Sequence, residues 1–368
     1  MNRIAWWTSL LVPVALLASA CSRGDDDAAT TTSPSTTSVI TTTTEMSAST
    51  TSSTTTTSIV SAVAPIVDIT RMPLTGEPIA DESAIPDRPA LVVKISNAPP
   101  SVLPQAGLNQ ADIVFEEIVN DNVTRLAAVF HSQGTDPVGP VRSGRAQDIN
   151  LLTAFNRPLL AWSGGNRAVT AAIEGSDLID LSNLHTSGYY RRSGRKDPND
   201  LYSSTEVLWG HTPDDATRPS QVFSYLGEGQ ELTGESATTI EIGLDTVKVR
   251  WTYDADTDGY YRTQNGIAHN TETSSGVERV WTRNVVVMQA DYGRNTHDGN
   301  PDAQVLGSNP VTVFTGGTVR SGIWLRYAAT DGFSFFDSVE DLNVLPLQPG
   351  RTWIEIPRNV EGVISWAP

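Results

Sequence analysis

Arginine residues are concentrated in one stretch of an otherwise acidic chain. The sequence of 368 residues has a formal net charge of −17, yet the segment 142–196 contains eight basic and four acidic residues. An arginine guanidinium is a planar fork that matches the oxygens of a carboxylate or phosphate. Two polar loops, G-P-V-R-S-G-R (139–145) and R-K-D-P-N (195–199), therefore predict an anion-binding cleft. Its candidate residues are Arg142, Ser143, Arg145, Arg195 and Asn199. The alternative is that each arginine pairs with a nearby carboxylate, as in ordinary structural ion pairs.

Few groups near these loops could act as catalysts. Glu116 is the candidate acid or base, because alternation along a strand sends its neighbour Glu117 to the opposite face. Ser163 stands in A-W-S-G-G, which lacks the first glycine of a nucleophile elbow. The five histidines show neither H-x-H nor H-x-x-x-H spacing, so no zinc site is predicted. We therefore expect a binding protein, with an envelope hydrolase or transferase that uses an arginine-lined pocket as the alternative.

A calcium-loop motif lies further along the chain. Asp254, Asp256 and Asp258, followed by Gly259, match the start of a D-x-D-x-D-G loop, whose carboxylates are hard oxygen ligands. The twelfth position of such a loop is Asn265 here, and not a bidentate Glu. The alternative is a β-hairpin turn, where Asp and Gly are favoured for backbone reasons. No cofactor is predicted, and Ca²⁺ in this loop is left open as one of the two interpretations.

Two tryptophans fall on the polar faces of predicted strands. Alternation places Trp324 on the same face as Arg320 and Arg326, and Trp353 on the same face as Arg351. Aromatic rings beside arginines stack on sugars or anchor protein partners, so these tryptophans predict a surface aromatic patch. The alternative is that another segment of the chain covers each ring.

The N-terminus has the features of an export signal. A basic start, an apolar stretch and small residues before the single cysteine, Cys21, are typical of a lipoprotein signal peptide over 1–20. Acylation of Cys21 would anchor the chain in the membrane. The Ser- and Thr-rich segment 21–70, which begins with this cysteine, is predicted to be a disordered tether. We expect a lipid-anchored protein on the extracytoplasmic face; the alternative is an ordinary signal peptide or an uncleaved anchor.

The rest of the chain is too long for one average domain and divides into two lobes. Residues 71–225 alternate β-rich runs with helical ones, and residues 240–368 have an almost wholly β pattern. A polar connector spans 226–239. The pattern predicts an α+β fold, with a three-layer α/β N-terminal lobe, a β-rich C-terminal lobe, and mixed or antiparallel sheets.

Several short motifs follow one another in an order that resembles a known family. They are R-P-A-L-V-V-K-I-S-N (88–97), Q-A-D-I-V-F-E (110–116), T-R-L-A-A-V-F (124–130), G-P-V-R-S-G-R (139–145), R-K-D-P-N-D-L-Y (195–202), N-V-V-V-M (284–288) and P-G-R-T-W-I (349–354). Over about residues 75–360 the chain is similar to the YerB-like lipoproteins, a family of unknown function with N- and C-terminal domains. The resemblance implies a three-layer α+β body and a lipid-anchored location, and it implies no established reaction.

These observations lead to one expectation for function. The acidic composition argues against a non-specific nucleic-acid binder. We expect a lipid-anchored cell-envelope protein that binds an anionic wall component or a wall-associated protein partner. A calcium-stabilised interaction module is a further alternative. The oligomeric state has no signal in the sequence.

Overall fold

The computed structural model describes residues 71–120 and 122–368. The predicted signal peptide, Cys21 and the tether lie outside these residues, so they stay predictions from the sequence. None of the helices in the described ranges is long and apolar enough to cross a membrane.

The described chain is built mainly from strands, with three short α-helices among its residues. The helices are α1 (Gln147–Leu152), α2 (Arg167–Glu174) and α3 (Thr205–Trp209). The strands of the first part are β1 (Leu91–Ser96), β2 (Gln105–Ala106), β3 (Ile113–Asn120), β4 (Val123–Phe130), β5 (Leu159–Trp162), β6 (Ile179–Ser182), β7 (Tyr190–Arg191), β8 (Leu201–Tyr202) and β9 (Glu235–Ser236). Those of the second part are β10 (Thr239–Leu244), β11 (Val247–Asp254), β12 (Gly259–Gln264), β13 (Ile267–Ala268), β14 (Asn270–Thr273), β15 (Gly276–Arg279), β16 (Trp281–Thr282), β17 (Asn284–Met288), β18 (Tyr292–Arg294), β19 (Pro301–Ala303), β20 (Gly307–Thr315), β21 (Thr318–Arg326), β22 (Ser334–Phe336), β23 (Thr352–Ile356) and β24 (Ile364–Ala367).

One long sheet contains strands from both parts of the chain. Its strand order is β22-β21-β20-β17-β23-β3-β4-β1-β5-β6, and β9 also pairs with β21. The junction is the parallel pair of β23 and β3, in which Thr352 lies opposite Ile113 and Ile356 lies opposite Glu117. The first and second parts are therefore joined by backbone hydrogen bonds within a single sheet.

The strand directions bring several carboxyl ends to one edge of the long sheet. Strands β17, β23, β3, β1, β5 and β6 all run the same way, and β4 runs antiparallel between β3 and β1. The edge at which these six strands end is here called the carboxyl edge. Open sheets with parallel strands bind their ligands at this kind of edge.

Both faces of the long sheet are covered, which explains the apolar runs in its central strands. On one face, Val92 of β1 packs in a core with residues of α1 and α2. On the other face, Val93 and Ile95 pack in a core with the six-stranded sheet, which has the path β13-β12-β11-β10-β24 and pairs β16 with β12. Strands β10 and β11 alternate buried and less buried residues, because only one face of that smaller sheet is covered. The predicted α+β fold with mixed and antiparallel sheets is confirmed.

The predicted surface aromatic patch is wrong. Trp324 is fully buried, and Trp353 is only 2% exposed. The indole N–H of Trp324 donates to Gln289 O at 2.7 Å, and Trp353 packs edge-on against Trp251 of the six-stranded sheet. The prediction failed because it treated the polar face of a strand as a solvent face, whereas both faces of this sheet are interior.

Candidate functional site

Strands β1 and β5 separate as they approach the carboxyl edge. They pair as far as Val93 and Ala161, and beyond this point the segment around Arg142 lies between them. The Arg142 N–H donates to Lys94 O at 2.8 Å, and the Arg142 carbonyl accepts from the Ser163 N–H at 2.9 Å. Backbone hydrogen bonds therefore fix Arg142 in the crevice where the two strands diverge.

Two arginines at the carboxyl edge each have a buried nitrogen that no described residue satisfies. Arg125, near the start of β4, lies opposite Ser96 of β1 and is 8% exposed. Nη1 of Arg125 and Nε of Arg142 are buried without a hydrogen-bond partner among the described residues. Burial, followed by the charges of Arg145 and Arg142, lowers the pKa of Arg125 to about 9. Because buried polar groups are nearly always hydrogen-bonded, these two unsatisfied guanidinium nitrogens at the carboxyl edge are candidate donors to an anion.

Arg145, by contrast, is held in place by the protein. Its Nη2 donates to Asn120 Oδ1 at 2.8 Å and its Nη1 to Gly144 O at 2.8 Å. Its backbone N–H donates to the Asp148 carboxylate at 2.7 Å. Its charge therefore acts on the crevice from a fixed position. The cluster Arg125, Arg142, Ser143 and Arg145 is here called the arginine site.

A buried ion network lies beside the arginine site. Lys94 Nζ donates to Asp148 Oδ1 at 2.7 Å and also to Glu117 Oε1, while Gln147 Nε2 donates to Glu117 Oε2 at 2.7 Å. Burial and then the Asp148 charge raise the pKa of Glu117 to about 7, against the opposing effect of Lys94. The network and the arginine site together contain four cationic and two anionic side chains, and the carboxylates of Asp197 and Asp298 act on Arg142 and Arg145 from the rim.

Two loops form the rim of the arginine site. Gly164 has a φ of +89°, and a Cβ added to it would lie 3.1 Å from Ser143 Oγ. This loop leads into α2, where the Asn166 side chain caps the helix by accepting from the Val169 N–H at 2.8 Å. Asn166 Nδ2 also donates to His297 O at 3.0 Å. The loop between β18 and β19 therefore reaches the site from the second part of the chain.

The fold assembles only part of the predicted cleft. Three of its five predicted residues lie in the arginine site, but the Arg195 guanidinium is bonded to another segment. It donates to Val102 O at 2.9 Å and to Pro104 O at 2.7 Å, so Arg195 braces that loop. Asn199 stays near the carboxyl edge, because its Oδ1 accepts from Ser96 Oγ at 2.8 Å at the end of β1.

Glu116 is not the carboxylate that neighbours the arginine site. It is fully buried on the opposite face of β3, where Arg262 donates to its Oε2. Asn97 Nδ2 and Thr124 Oγ1 donate to its Oε1 at 2.8 and 2.7 Å. The expected alternation of the two glutamates is confirmed, but Glu116 lies on the face of β3 away from the arginine site. Glu117 is the glutamate on the same face as Lys94 and Arg125.

The aspartate loop is a hairpin turn between β11 and β12. Asp254 Oδ1 accepts from the Asp256 N–H at 2.9 Å. The Asp258 carboxylate accepts from the Tyr253 hydroxyl at 2.7 Å and from the Arg283 guanidinium. Backbone and arginine donors thus occupy carboxylate oxygens that a calcium ion would need, and the geometry favours the hairpin alternative.

A group of metal-ligating side chains does converge elsewhere in the described residues. Ligand atoms of Glu174, Asp180 and His185 all lie within 4.8 Å of one another. His185 Nε2 is 3.1 Å from Asp180 Oδ2, and Trp162 Nε1 donates to Asp180 Oδ1 at 2.7 Å. The close approach of His185 to Asp180 brings two of these three side chains together.

The two parts of the chain match two domain models of one protein family. Residues 74–218 match the model described as the N-terminal domain of a protein of unknown function (DUF3048), and residues 239–354 match the C-terminal domain of the same description. The chain belongs to this family.

A particular relative supports the earlier resemblance. The chain is 26% identical over 296 residues to YerB of Bacillus subtilis (strain 168), a protein named as a candidate lipoprotein, with 78% of this chain and 86% of that protein covered. The crystal structure of the Bacillus subtilis YerB protein matches with a TM-score of 0.68 at 24% identity, covering 81% of this chain and 99% of that chain. The two folds are therefore alike, and the resemblance to the YerB-like family is confirmed.

Proposed function

We propose that this is a lipid-anchored cell-envelope protein that binds an anionic group of a wall component in the arginine site. The observation that supports this most is the pair Arg125 and Arg142, two neighbouring cations without carboxylate partners in the described chain. Burying like charges together destabilises a fold, and a bound anion offsets that repulsion. In a protein with a net charge of −17, carboxylates are abundant, yet none within the described residues forms an ion pair with Arg125 or Arg142.

The arginine site is better suited to binding a ligand than to catalysing a reaction. Glu117 is fully buried, and its two carboxylate oxygens accept from Lys94 and Gln147. A general acid or base must come within hydrogen-bond reach of its substrate, and these contacts keep Glu117 from doing so. The crevice therefore offers donors and positive charge, which are the properties that a binding site requires.

Wall binding is expected to depend on Arg142. Arg142→Gln removes a charge-assisted donor worth about 1.5–3 kcal/mol, so affinity should fall about 10–100-fold. Co-sedimentation of the full-length protein in detergent micelles with purified, insoluble cell wall measures this at fixed ionic strength. Arg250→Gln is the matched control, because it removes the same charge from an exposed pair on β11. Equal binding by the two variants would contradict the proposed site.

Membrane anchoring is expected to depend on Cys21. The small residues that precede it and the candidate lipoprotein among the relatives support this part of the proposal. Cys21→Ala should release the protein from the membrane fraction, because acyl chains supply the stable anchor. Fatty-acid labelling and membrane fractionation measure the change, with Ser22→Ala as the control. Labelling of the Cys21→Ala protein at the wild-type level would rule out acylation at this residue.

A further inference from the structure

We propose that the anionic group bound by the arginine site is a phosphate, as a monoester or diester, rather than a carboxylate. This inference rests on the proposed function and names the chemistry of its ligand. Three separate elements supply the donors. They are Arg125 on β4, Arg142 between β1 and β5, and the loop that leads into α2.

Arg125 is the most informative of these donors. It is more than nine-tenths buried, at 8% exposure, and its Nη1 has no partner among the described residues. The carboxylate across the strand pair, Glu117, is bonded to Lys94 and Gln147. A guanidinium in this position can gain a charge-assisted hydrogen bond only from a ligand that enters the crevice.

The unpaired nitrogens belong to different guanidinium groups. A carboxylate has two coplanar oxygens, and a single arginine fork satisfies both of them. Here the unpaired groups are one nitrogen of Arg125 and one of Arg142. The hydroxyl of Ser143, which is 9% exposed, adds a donor from the same loop. Donors from several elements match a phosphate, whose three or more oxygens point in different directions.

The start of α2 adds features that favour phosphate. This helix has eight residues, and the glycine loop before it approaches Ser143 at Gly164. Its first turn contains no acidic residue, and its first residue is Arg167. A helix N-terminus presents free N–H groups and the positive end of the helix dipole. The loop before this terminus contacts the Arg142–Ser143 segment, and with the unpartnered Nη1 of buried Arg125 it supplies donors at the carboxyl edge.

The charge of the site also favours a phosphate. Four cationic side chains face two buried carboxylates, and the rim carboxylates Asp197 and Asp298 act on Arg142 and Arg145, with Asp197 also paired with the exposed Arg191. Neither Arg125 nor Arg142 forms a direct ion pair with a carboxylate of the described residues, so each guanidinium can still gain one from a ligand. A phosphate monoester carries about −1.5 to −2 charges at pH 7, whereas a carboxylate carries one.

Calorimetric titration of the full-length protein in detergent micelles tests the inference. The probes are glycerol 3-phosphate and acetate, titrated at one ionic strength. We expect glycerol 3-phosphate to bind about tenfold or more tightly than acetate, because it accepts more charge-assisted hydrogen bonds. Arg125→Met and Arg142→Gln should each weaken its binding by about 10–100-fold, while Arg250→Gln leaves it unchanged.

The outcomes separate this inference from the proposed function. Tighter binding of acetate, lost in the same two variants, would overturn the phosphate assignment and leave the anion site in place. Failure of both probes and of purified wall to bind would overturn both proposals. If the wild type and both arginine variants bind glycerol 3-phosphate with equal affinity, the phosphate binds outside the arginine site. That result would overturn the inference.

Discussion

Replacing Arg125 with methionine is expected to stabilise the folded protein while it removes anion binding. The substitution deletes a buried charge that is repelled by Arg145 and Arg142 and that has an unpaired nitrogen. Methionine is flexible enough to fill most of the same space. Apolar replacement of buried charged groups is often neutral or stabilising, so we expect the free energy of unfolding to rise by about 1–2 kcal/mol. Urea denaturation followed by tryptophan fluorescence measures this change.

Arg145 is a matched control for this prediction. Arg125 and Arg145 are both 8% exposed, but Arg145 donates hydrogen bonds to Asn120 and Gly144. Arg145→Met should therefore lower the stability by about 1–3 kcal/mol, because it leaves buried acceptors without donors. A similar loss of stability in both variants would show that Arg125 is a structural residue, and the arginine site would lose its main support.

A gain of stability in Arg125→Met would indicate that Arg125 serves function rather than folding. Natural proteins sit only slightly above the stability that they need, and residues that destabilise the fold are kept where function requires them. Arg125 belongs to this class if its replacement helps folding and harms binding. Stability and affinity must therefore be measured on the same variants.

Local elements of the fold were largely predictable from the sequence. Strands β5 (L-L-A-W) and β23 (T-W-I-E-I) are short runs rich in apolar residues, and the Ser204 side chain caps α3 by accepting from the Val207 N–H. These signals lie within short windows of apolar periodicity and capping residues. The pairing of β23 with β3 was not predictable, because it joins segments more than two hundred residues apart without a local signal. As a result, the sequence indicated two lobes but not the sheet that they share.

The candidate site was predictable only where it lies in loops. Arg142 and Arg145 stand in a Gly- and Pro-rich motif that marks a binding loop. Sequence patterns did not indicate Arg125 and Lys94, which lie within apolar strands, and alternation alone could not tell whether Glu116 or Glu117 faces the site. A signal was present, since Lys94 interrupts the apolar run A-L-V-V-K-I and must be paired if that strand is buried.

The largest loss of stability is expected from Arg262→Met, on the other face of the long sheet. The Arg262 guanidinium donates to Glu116 and lies 3.6 Å from Glu355, and all three side chains are fully buried. Removing the cation leaves two buried carboxylates without their partner, which should lower the free energy of unfolding by about 3–5 kcal/mol. Urea denaturation measures the loss. Arg250→Met, which breaks an exposed pair with Glu241, should change the stability by less than about 1 kcal/mol.

A double variant distinguishes the loss of charge pairing from the loss of packing. Arg262 also stacks over the rings of Trp353, at 4.9 Å, and Trp251, at 5.7 Å. If unpaired charge causes the loss, adding Glu116→Gln to Arg262→Met should recover part of it, because one of the two carboxylates becomes neutral. Recovery would show that ion pairing holds the six-stranded sheet to the long sheet beside the β23–β3 junction. No recovery would show that packing on the two tryptophans holds them together instead.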